Sequence, residues 1–563
     1  MDDAIWSLPP VREEARTIAA DLGIPLPIAQ VLVNRRILDS PSARRFLHGT
    51  MDDTHDPFLF TAMRAAVERI EAAIVRREKI LIFGDYDADG VLSTVMLHKA
   101  LTTLGGDVDY FIPERLTEGY GIKDEHLAVV LARGAKLVVS VDCGVRAVDF
   151  VEAARAAGVD VVVTDHHLPG DVIPAAAAVL DPVLDGAGYP ERTLAGVGVV
   201  FKLIQALYEK QGRKSALRHF LKLVAIGTIS DIADLRGENR IFVKQGLLEL
   251  ENVSNIGLRH LLDVCGRAGK KVSEGDVGFR IGPRINAAGR MGRTDLAVRL
   301  FFSDSDAETR EIARRLDELN SERQRIEERI FKQACEKIRA KGLDSRYRIL
   351  ILGSEDWHRG VVGIVASKIK DAFNRPAILF AYEDGKAFGS GRSIGEFSLI
   401  ACLDECRDHL LAYGGHTYAV GCTLARESLS AFKQAANAAA KVRLTDDHLR
   451  RKLRLDAVLG FEEIDRDFLG VLGNLGPFGV GNPKPVFMTE KVEVAAGPQI
   501  LKRKHLKLWL RRDGRTFEAV AWDRADWAER ISKGGLIDVA YSFLFSNYQG
   551  EDRLQLSLEG VRP

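Results

Sequence analysis

The chain has 563 residues and a formal net charge of +0, and at roughly 100–200 residues per domain this length predicts three or four domains. A hydrophobic share of 46% excludes a disordered or fibrous chain, and the balanced charge means that nucleic-acid binding requires local basic patches. Six scattered cysteines favour reduced thiols and a cytoplasmic location, and no apolar stretch reaches about 18 residues, so neither a membrane span nor a signal peptide is expected.

Residues 1–60 form an N-terminal segment in which short helical patterns alternate with prolines, and Asp56-Pro57 marks its end. Over 61–304 the chain alternates helical patterns with short apolar runs. Helix-length connections between most of these runs predict βαβ units and a parallel sheet, and hence an α/β domain. The predicted strands are Lys79–Phe83, Val108–Ile112, Leu137–Val141, Val159–Thr164 and Ala178–Leu180.

A long connecting helix is predicted over 305–341, a stretch without proline or glycine in which apolar residues recur at three- and four-residue spacing. Ser305 and Glu308 fit a capping box at its start, and Gly342 supplies a stop. A second α/β domain is predicted over 342–452, from strand patterns at 347–352 and 377–380 with a helical pattern between them. Short β-type runs and turns over 453–563 predict a small C-terminal β domain.

Acidic and histidine side chains follow three predicted strands of the first α/β domain, and one more acid follows an apolar helical run. Ligands bind outside the carboxyl ends of parallel strands, so we expect these side chains to share one site. The candidates are Asp85, Asp87, Asp89, Asp142, Asp165, His166, His167 and Asp231.

A metal site explains this set better than separate structural roles do. The run 85–90 opens like an EF-hand calcium loop, but its twelfth position is Met96 instead of Glu and a strand precedes it. Asp142 alone could cap a helix and His166 alone could be a buried core histidine, but three such coincidences at one sheet edge are a weaker explanation. Carboxylates with imidazoles suit Mn²⁺, with Mg²⁺ as a substitute, and the number of ligands suffices for two ions that promote phosphoester or phosphoanhydride hydrolysis.

The motif Asp165-His166-His167, with Asp87 and Asp89 upstream, resembles the DHH phosphoesterase superfamily. Further motifs, in the same order along nearly the whole chain, are similar to the RecJ branch of that superfamily. They lie at 84–90, 113–121, 194–198, 227–231, 282–290, 319–323, 357–363, 389–393, 414–416 and 476–483. The resemblance implies a DHH catalytic domain, a DHH-associated domain and a C-terminal OB-fold.

The activity that this resemblance implies is that of a metal-dependent exonuclease specific for single-stranded DNA. It would work 5′→3′ and release 5′-mononucleotides in DNA repair and recombination. Single-stranded DNA would be the substrate, a helicase and a single-strand-binding protein the expected partners, and no membrane would be involved.

By position, the resemblance also implies roles for the residues of the sheet edge. The implied metal ligands are Asp87, Asp89, Asp142, His166 and Asp231. Asp142 would bridge the two ions, Asp165 would orient the imidazoles, and His167 would face the scissile phosphate. Asp85 would be either a ligand or a hydrogen-bonding neighbour.

Arginines are the expected readers of a terminal phosphate, because planar guanidinium groups bind it with two hydrogen bonds. The alternative is that these arginines form salt bridges or contact the strand without reading its end. The phosphate-binding candidates are Arg115, Arg284, Arg290 and Arg392, together with Ser390 and His416.

The C-terminal domain contains a basic run at 500–515, with seven Lys or Arg residues against one acid, Asp513. Leucines alternate there with basic and aromatic residues, which predicts a strand with a basic outer face of the kind that binds single strands. A solvated basic strand without a ligand is the alternative. The DNA-binding candidates are Lys502, Lys504, Lys507, Trp509 and Arg511.

Two other function classes compete with the exonuclease. One is a DHH phosphodiesterase that acts on short oligoribonucleotides or cyclic dinucleotides, although such relatives are usually shorter and lack an OB-type tail. The other is a non-catalytic replication factor with a decayed site, against which the complete ligand set argues. The sequence departs from the family pattern at Phe83, at Asp181 and around 230–234. It contains no G-x-x-x-x-G-K-[ST] loop that would indicate an ATPase.

Overall fold

The computed structural model describes residues 4–115, 117–548 and 551–562. The chain divides into two compact units, of which one runs from Thr50 to Arg443. The other combines the residues up to Gly49 with those from Leu444 onward. In the described part of the chain, no helix has the length and apolar character that crossing a membrane requires.

Helices and strands cover most of the described residues. In chain order, the strands are β1 Ile5–Ser7, β2 Lys79–Gly84, β3 Asp107–Phe111, β4 Leu137–Val141, β5 Asp160–Thr164, β6 Ala178–Leu180, β7 Leu350–Ser354, β8 Ala377–Glu383, β9 Lys386–Arg392, β10 Ala412–Gly415, β11 Ala419–Ala425, β12 Lys452–Arg454, β13 Ala457–Val458, β14 Phe487–Leu501, β15 His505–Arg512, β16 Arg515–Ala521, β17 Leu536–Tyr548 and β18 Glu551–Arg562. The α-helices are α1 Glu13–Leu22, α2 Leu26–Asn34, α3 Ser40–His48, α4 Met63–Val75, α5 Ala88–Thr103, α6 His126–Ala132, α7 Val148–Ala156, α8 Gly196–Lys210, α9 Arg218–Ser230, α10 Gly237–Leu248, α11 Ile256–Val264, α12 Glu274–Asp276, α13 Gly282–Arg290, α14 Thr294–Phe302, α15 Asp306–Ala340, α16 Leu343–Arg346, α17 Val362–Phe373, α18 Leu399–Glu405, α19 Leu429–Arg443 and α20 Arg466–Asn474.

The first sheet of the Thr50–Arg443 unit is parallel throughout, with strand order β3-β2-β4-β5-β6. This confirms the predicted parallel sheet, and the strands begin and end within one residue of their predicted bounds. The central strands are almost wholly buried, because helices cover both faces. One face packs against α4, α5, α8 and α9, and the other packs against α6 and α7.

The long helix α15 belongs to the cores of both sheets of this unit. Its 35 residues give a length of about 50 Å at 1.5 Å per residue. Ser305 caps its start, because the Ser305 hydroxyl accepts a hydrogen bond from the N–H of Glu308 at 3.3 Å. Leu316 in the first half of the helix packs in the core of the parallel sheet, and Ile330 in the second half packs with β7, β8 and α17.

The second sheet of this unit is mixed, with order β10-β11-β9-β8-β7. Only β7 and β8 are parallel among the described pairs, and α17 connects them. Strand β7 starts at Leu350, three residues later than the pattern at 347–352 predicts. The short helix α16 occupies the chain just before Tyr347, so the strand pairing begins later.

The other unit is built around a closed barrel. Its sheet has the order β13-β14-β15-β16-β18-β17, and the additional pairing of β14 with β17 closes it. This confirms the predicted C-terminal OB-like β domain. Helices α1, α2 and α3 share one core with the barrel, in which Ile28 and Phe46 pack together with Phe468 and Leu508.

A buried arginine ties α2 to the barrel unit. Arg35 is 5% exposed. Its Nη1 lies 2.9 Å from Asp456 Oδ1, and its Nε donates to Asn482 Oδ1 at 2.8 Å. The guanidinium also donates to the carbonyl of Pro483 at 2.6 Å. Removing one partner of such a buried pair leaves the other charge without compensation.

We therefore expect Arg35→Ala to lower the free energy of unfolding of the barrel unit by roughly 3–5 kcal/mol, the usual cost of breaking a buried ion pair. Urea denaturation of the full chain, followed by tryptophan fluorescence, measures the change. Arg44→Ala, at an exposed position on α3, is the matched control and should shift the transition little. Equal transitions for the two variants would contradict a stabilising role for Arg35.

Candidate metal centre at the carboxyl edge of the parallel sheet

The loop after β2 presents three aspartates within five residues. Asp87 caps α5, because its Oδ1 accepts hydrogen bonds from the N–H groups of Asp89 at 2.8 Å and Gly90 at 3.2 Å. A Cβ on Gly90 would lie 2.5 Å from the carbonyl oxygen of Asp85, so only glycine permits this tight turn. The turn brings the Asp85 and Asp87 side chains to the end of the strand.

Asp142 follows β4 in a left-handed conformation, with φ of 61°. The N–H of Asp142 donates to the carbonyl of Thr164 at 3.0 Å. The carbonyl of Asp142 accepts a hydrogen bond from the hydroxyl of Tyr120 at 3.2 Å. Gly196 approaches the side chain so closely that a Cβ there would lie 2.9 Å from Asp142 Oδ1. Such a strained backbone persists where the surroundings fix it, which is common at functional sites.

The two histidines follow β5 and are held by Asp165. Asp165 Oδ1 accepts hydrogen bonds from the N–H groups of His166 at 2.8 Å and His167 at 3.2 Å, and it lies 2.8 Å from Nδ1 of the His167 ring. Asp165 Oδ2 accepts from the N–H of Val145 at 2.9 Å. The hydroxyl of Tyr120 lies 2.8 Å from the same His167 Nδ1. Asp165 therefore orients the His167 ring and holds the backbone of both histidines.

Seven of the eight predicted side chains converge in three overlapping groups, each of which could hold a cation. The groups are Asp142 with His166 and His167, Asp89 with His166 and Asp231, and Asp85 with Asp87 and Asp142. Asp165 is the eighth, beside the histidines. His166 Nε2 is central, at 3.0 Å from Asp142 Oδ1 and 3.8 Å from both Asp89 Oδ2 and Asp231 Oδ2.

The donor atoms of this centre fit a divalent metal ion. Asp85 Oδ1, Asp142 Oδ1 and His166 Nε2 are buried, and none makes a hydrogen bond in the described part of the chain. The 3.0 Å approach of His166 Nε2 to Asp142 Oδ1 lacks hydrogen-bond geometry. Buried polar atoms normally make hydrogen bonds, so three such atoms without one at the same sheet edge indicate a place for a ligand. Carboxylate oxygens combined with imidazole nitrogen form the donor set that Mn²⁺ and Mg²⁺ accept.

The electrostatics of the centre also favour a bound cation. Burial raises the pKa of Asp89 to about 6, and the neighbouring His166 opposes this shift. Burial likewise raises the pKa of Asp231 to about 7. Burial and the charges of Asp89 and Asp87 hold the pKa of Asp142 well above its usual range. These carboxyls need either protons or cations to be accommodated so close together.

His167 has the opposite tendency. Burial alone would lower its pKa, but the hydrogen bond with Asp165 and the charge of Asp142 raise the pKa of His167 to about 9. The same bond lowers the pKa of Asp165 against the effect of burial. In the metal-free protein this arrangement favours the protonated His167 ring, which could donate to a phosphate oxygen.

A cluster of arginines lies beside the carboxylates. Burial and the charges of Arg115, Arg323 and Arg392 lower the pKa of Arg290 to about 9. Arg290 Nη1 donates to the carbonyl of Gly360 at 3.1 Å, and Arg115 stacks over the ring of Tyr86 at 4.8 Å. We call Arg115, Arg290, Arg323 and Arg392 the arginine cluster.

The remaining phosphate-binding candidates take different positions. Ser390 Oγ accepts a hydrogen bond from Arg392 Nη1 at 3.3 Å and so lies at the arginine cluster. His416 is half-buried, and burial is the main reason for its lowered pKa. The charges of Arg146 and His167 lower the pKa further, so His416 is close enough to the metal centre to interact with His167. Arg284 is instead paired with Asp317, at 2.6 Å, and the structure does not bring it into the cluster.

Two residues of the site were not among the predicted ones. Tyr120 contacts Asp142 and His167 through its hydroxyl, and Arg323 reaches the arginine cluster from α15. Tyr120 lies in the motif at 113–121 and Arg323 in the motif at 319–323. Membership in these motifs is the only signal in the sequence that could have indicated the two residues. Their roles depend on how a loop and a distant helix fold over the sheet edge.

The basic strand of the barrel carries its charges in pairs. Leu506, Leu508 and Leu510 are buried, as the alternation along β15 predicts. Lys507 lies 2.8 Å from Glu518, and Arg511 lies 2.8 Å from Glu493. Trp509 is half-buried beneath Lys507, whose Nζ is 4.7 Å from the ring centroid. Lys502 and Lys504 are exposed on the turn before the strand.

Comparison with known proteins assigns these parts to families. Residues 79–228 match the DHH family N-terminal domain, 346–442 match the DHHA1 domain, and 455–560 match the RecJ OB domain. The parallel sheet and its acidic edge are thus those of a DHH protein.

Relatives that align with nearly the whole chain narrow this class. The single-stranded-DNA-specific exonuclease RecJ of Bacillus subtilis is 37% identical over 98% of this chain and 70% of its own length. That of Escherichia coli is 33% identical over 97% of each. A crystal structure of RecJ in complex with Mn²⁺ from Thermus thermophilus superposes with a TM-score of 0.84 at 31% identity, covering 100% of this chain and 80% of that one. The chain belongs to the RecJ family.

The raised carboxyl pKa values generate a prediction for pH. In the metal-free protein, Asp89 and Asp231 bind protons below about pH 6 and about pH 7. A raised carboxyl pKa stabilises the fold at low pH, and this contribution is lost as pH rises through the folded-state value. We therefore expect the unfolding temperature in EDTA to fall between about pH 5.5 and 8. The gain on adding Mn²⁺ should grow over the same range, because each displaced proton changes the apparent affinity about tenfold per pH unit.

Thermal denaturation at several pH values, with EDTA or with Mn²⁺, measures both trends. Asp231→Asn removes one of the titrating groups and should flatten the pH dependence in EDTA. A metal-induced gain that is the same at pH 6 and pH 8 would contradict this description of the centre.

Proposed function

We propose that this chain is a metal-dependent exonuclease specific for single-stranded DNA, which works 5′→3′ and releases 5′-mononucleotides. The observation that carries this proposal is the convergence of Asp85, Asp142 and His166, with unpaired buried atoms, beside the arginine cluster. The relatives named single-stranded-DNA-specific exonuclease support the substrate. A phosphodiesterase for short oligoribonucleotides or cyclic dinucleotides is the alternative, and the match to the RecJ OB domain favours the exonuclease.

Two divalent ions, Mn²⁺ or Mg²⁺, would occupy the centre. The residues that would hold them are Asp87, Asp89, Asp142, His166 and Asp231, and Asp142 would serve both ions. Asp85 would be a further ligand or a hydrogen-bonding neighbour. When bound, the ions would supply an activated water and neutralise charge on the phosphate.

The side chains around the ions would perform the remaining work. Asp165 Oδ1 lies 2.8 Å from His167 Nδ1 and would hold a proton there, which would leave the Nε2 side of the ring to face a phosphate oxygen. Tyr120 holds the backbone of Asp142 and thereby the position of its carboxylate. The backbone N–H groups of Gly196 and Val197 fix Asp89, at 2.8 and 2.7 Å.

The arginine cluster would determine that hydrolysis starts at the 5′ end of the DNA strand. A terminal phosphate carries more charge than an internal one, and guanidinium groups bind it in a planar geometry. Burial and the charge of Arg115 lower the pKa values of both Arg290 and Arg392, and an added dianion would relieve this repulsion. Arg284 is committed to Asp317 and contributes less to this site.

The division of the chain follows from the same assignment. Residues 61–304 would form the DHH catalytic domain, 305–341 the connecting helix, 342–452 the DHH-associated domain and 453–563 the nucleic-acid-binding OB domain, after an N-terminal segment at 1–60. We also infer a cytoplasmic location, which the free cysteines support. A helicase would supply the single strands during repair and recombination, and a single-strand-binding protein would be a further partner.

The test of this function is hydrolysis of end-labelled oligonucleotides with Mn²⁺, comparing single with double strands and DNA with RNA. We expect mononucleotides to be released from the 5′ end of single-stranded DNA. Loss of a residue that only hydrogen-bonds to a metal ligand typically costs about 10–100-fold in activity. Asp142 would be a ligand itself, so Asp142→Ala should reduce turnover by more than about 100-fold. A preference for duplex ends or RNA, or near-normal turnover of Asp142→Ala at saturating Mn²⁺, would overturn the proposal.

End selection has a separate test. Arg392→Ala should raise KM for 5′-phosphorylated strands by about tenfold or more, because a hydrogen bond to a charged group contributes roughly 1.5–3 kcal/mol. Strands with a 5′-hydroxyl should be affected much less. Arg284→Ala is the matched control, since the Asp317 pair engages that arginine. An equal loss on both substrates would show that Arg392 does not read the 5′-phosphate.

A further inference from the structure

The barrel carries an exposed tryptophan next to a basic turn, outside the strand face that the sequence indicates. Trp522 is 51% exposed and follows directly after β16. Its ring lies 4.9 Å from the ring of His505, in edge-to-face geometry. His505 begins β15, immediately after the turn that contains three cations. We define the Trp522 patch as Lys502, Arg503, Lys504, His505 and Trp522.

Two short loops are joined at this patch. The N–H of Ala525 donates to the carbonyl of Lys504 at 3.0 Å. The N–H of Asp523 donates to His505 Nδ1 at 3.0 Å. The Asp523 carboxylate, 3.5 Å from the same His505 nitrogen, is the acid that faces the patch. These contacts hold Trp522 beside the basic turn.

The cations of the patch differ from those of the β15 face. Lys507 and Arg511 are engaged with Glu518 and Glu493, so a phosphate would have to displace a carboxylate at either position. Lys502, Arg503 and Lys504 are all exposed, and among the described residues the structure shows no ion pair for any of them. Their charges remain available to an anion.

The backbone of the turn is unfavourable for the residues that occupy it. Lys502 and Arg503 have φ of 49° and 57°, and the N–H of Lys504 donates to the carbonyl of Leu501 at 3.0 Å. Two successive positive φ angles in a hairpin turn favour Asn-Gly, and residues with long side chains are uncommon there. Strained residues often mark a functional position. The basic residues therefore occupy the turn at a cost to stability.

We propose that the Trp522 patch is where the barrel holds a single DNA strand. One base stacks on Trp522, and Lys502, Arg503 and Lys504 bind the phosphates on either side of that base. Single-strand binders combine a stacking aromatic with adjacent cations in this way, and a paired base in a duplex does not offer its face. The inference rests on the proposed function for the identity of the ligand.

Trp509, the aromatic residue that the sequence indicates, is less suited to this role. It is half-buried, and the ammonium group of Lys507 lies 4.7 Å from its ring centroid. A base would first have to displace Lys507 from both that ring and Glu518. Trp522 contacts His505 edge to face instead, and half of its surface is open.

Binding of the full chain to a single strand of about 30 nucleotides, measured by fluorescence anisotropy in EDTA, tests the assignment of the tryptophan. Trp522→Ala should weaken binding by about fivefold or more, the range measured for loss of one stacked base. Trp509→Ala is the matched control. It should weaken binding less than about twofold, because no base stacks on Trp509 in this assignment. If Trp509→Ala weakens binding as much as Trp522→Ala, or if neither does, the proposal is wrong.

A second pair of variants tests the turn. Lys502→Asn with Arg503→Gly relieves the backbone conformation, so it should raise the unfolding temperature while weakening binding. It should also reduce the slope of log affinity against log salt by about 1.4, at roughly 0.7 per phosphate contact in a single strand. Lys507→Gln with Arg511→Gln removes the same charge from the β15 face and should alter the slope less. Equal slope changes in the two double variants would overturn the assignment.

Because EDTA prevents hydrolysis, this experiment is independent of the metal centre. Loss of binding in the patch variants with no nuclease activity in the wild type would support the patch and contradict the proposed function. Normal binding in the patch variants, together with 5′→3′ nuclease activity in the wild type, would contradict the patch and support the proposed function.

Discussion

The crowding of carboxylates at the carboxyl edge of the parallel sheet is the constraint on which the rest of this structure depends. Asp85, Asp89 and Asp142 are at most 3% exposed, and burial raises the pKa of each of them. Like charges in such a place need protons, donors or cations. The neighbouring elements are arranged accordingly, since the first turn of α8 offers two N–H groups to Asp89 and Gly196 lets the helix approach Asp142.

A second region of like charge lies directly beside the first. The arginine cluster concentrates positive charge around Arg290, and the charge of Asp87 also acts on Arg290. A phosphodiester strand is complementary to both regions once cations occupy the acidic one. The two regions are formed by one compact unit, in which α15 contributes Arg323 and packs in the cores of both sheets.

The sequence predicts the sheet and its acidic edge well, because both depend on local rules. Buried parallel strands are continuous apolar runs, and the residues that follow them must meet at one edge. It does not reveal that Lys507 and Arg511 are neutralised, since Glu518 and Glu493 come from neighbouring strands and only the register of the barrel brings them together. It also does not reveal Tyr120, whose role depends on the path of a loop.

The packing of α1–α3 against the barrel has a consequence for synthesis of the chain. Their partners begin at Leu444, after the whole Thr50–Arg443 unit. At roughly 5–20 residues per second, the ribosome needs about 20–80 s to make the intervening residues. Apolar residues such as Ile28 and Phe46 must wait for that time without their native core, while the intervening unit can already fold. Helices α1–α3 are therefore synthesised before the Thr50–Arg443 unit but buried only after it, and their apolar faces stay open to aggregation or chaperone binding in the interval.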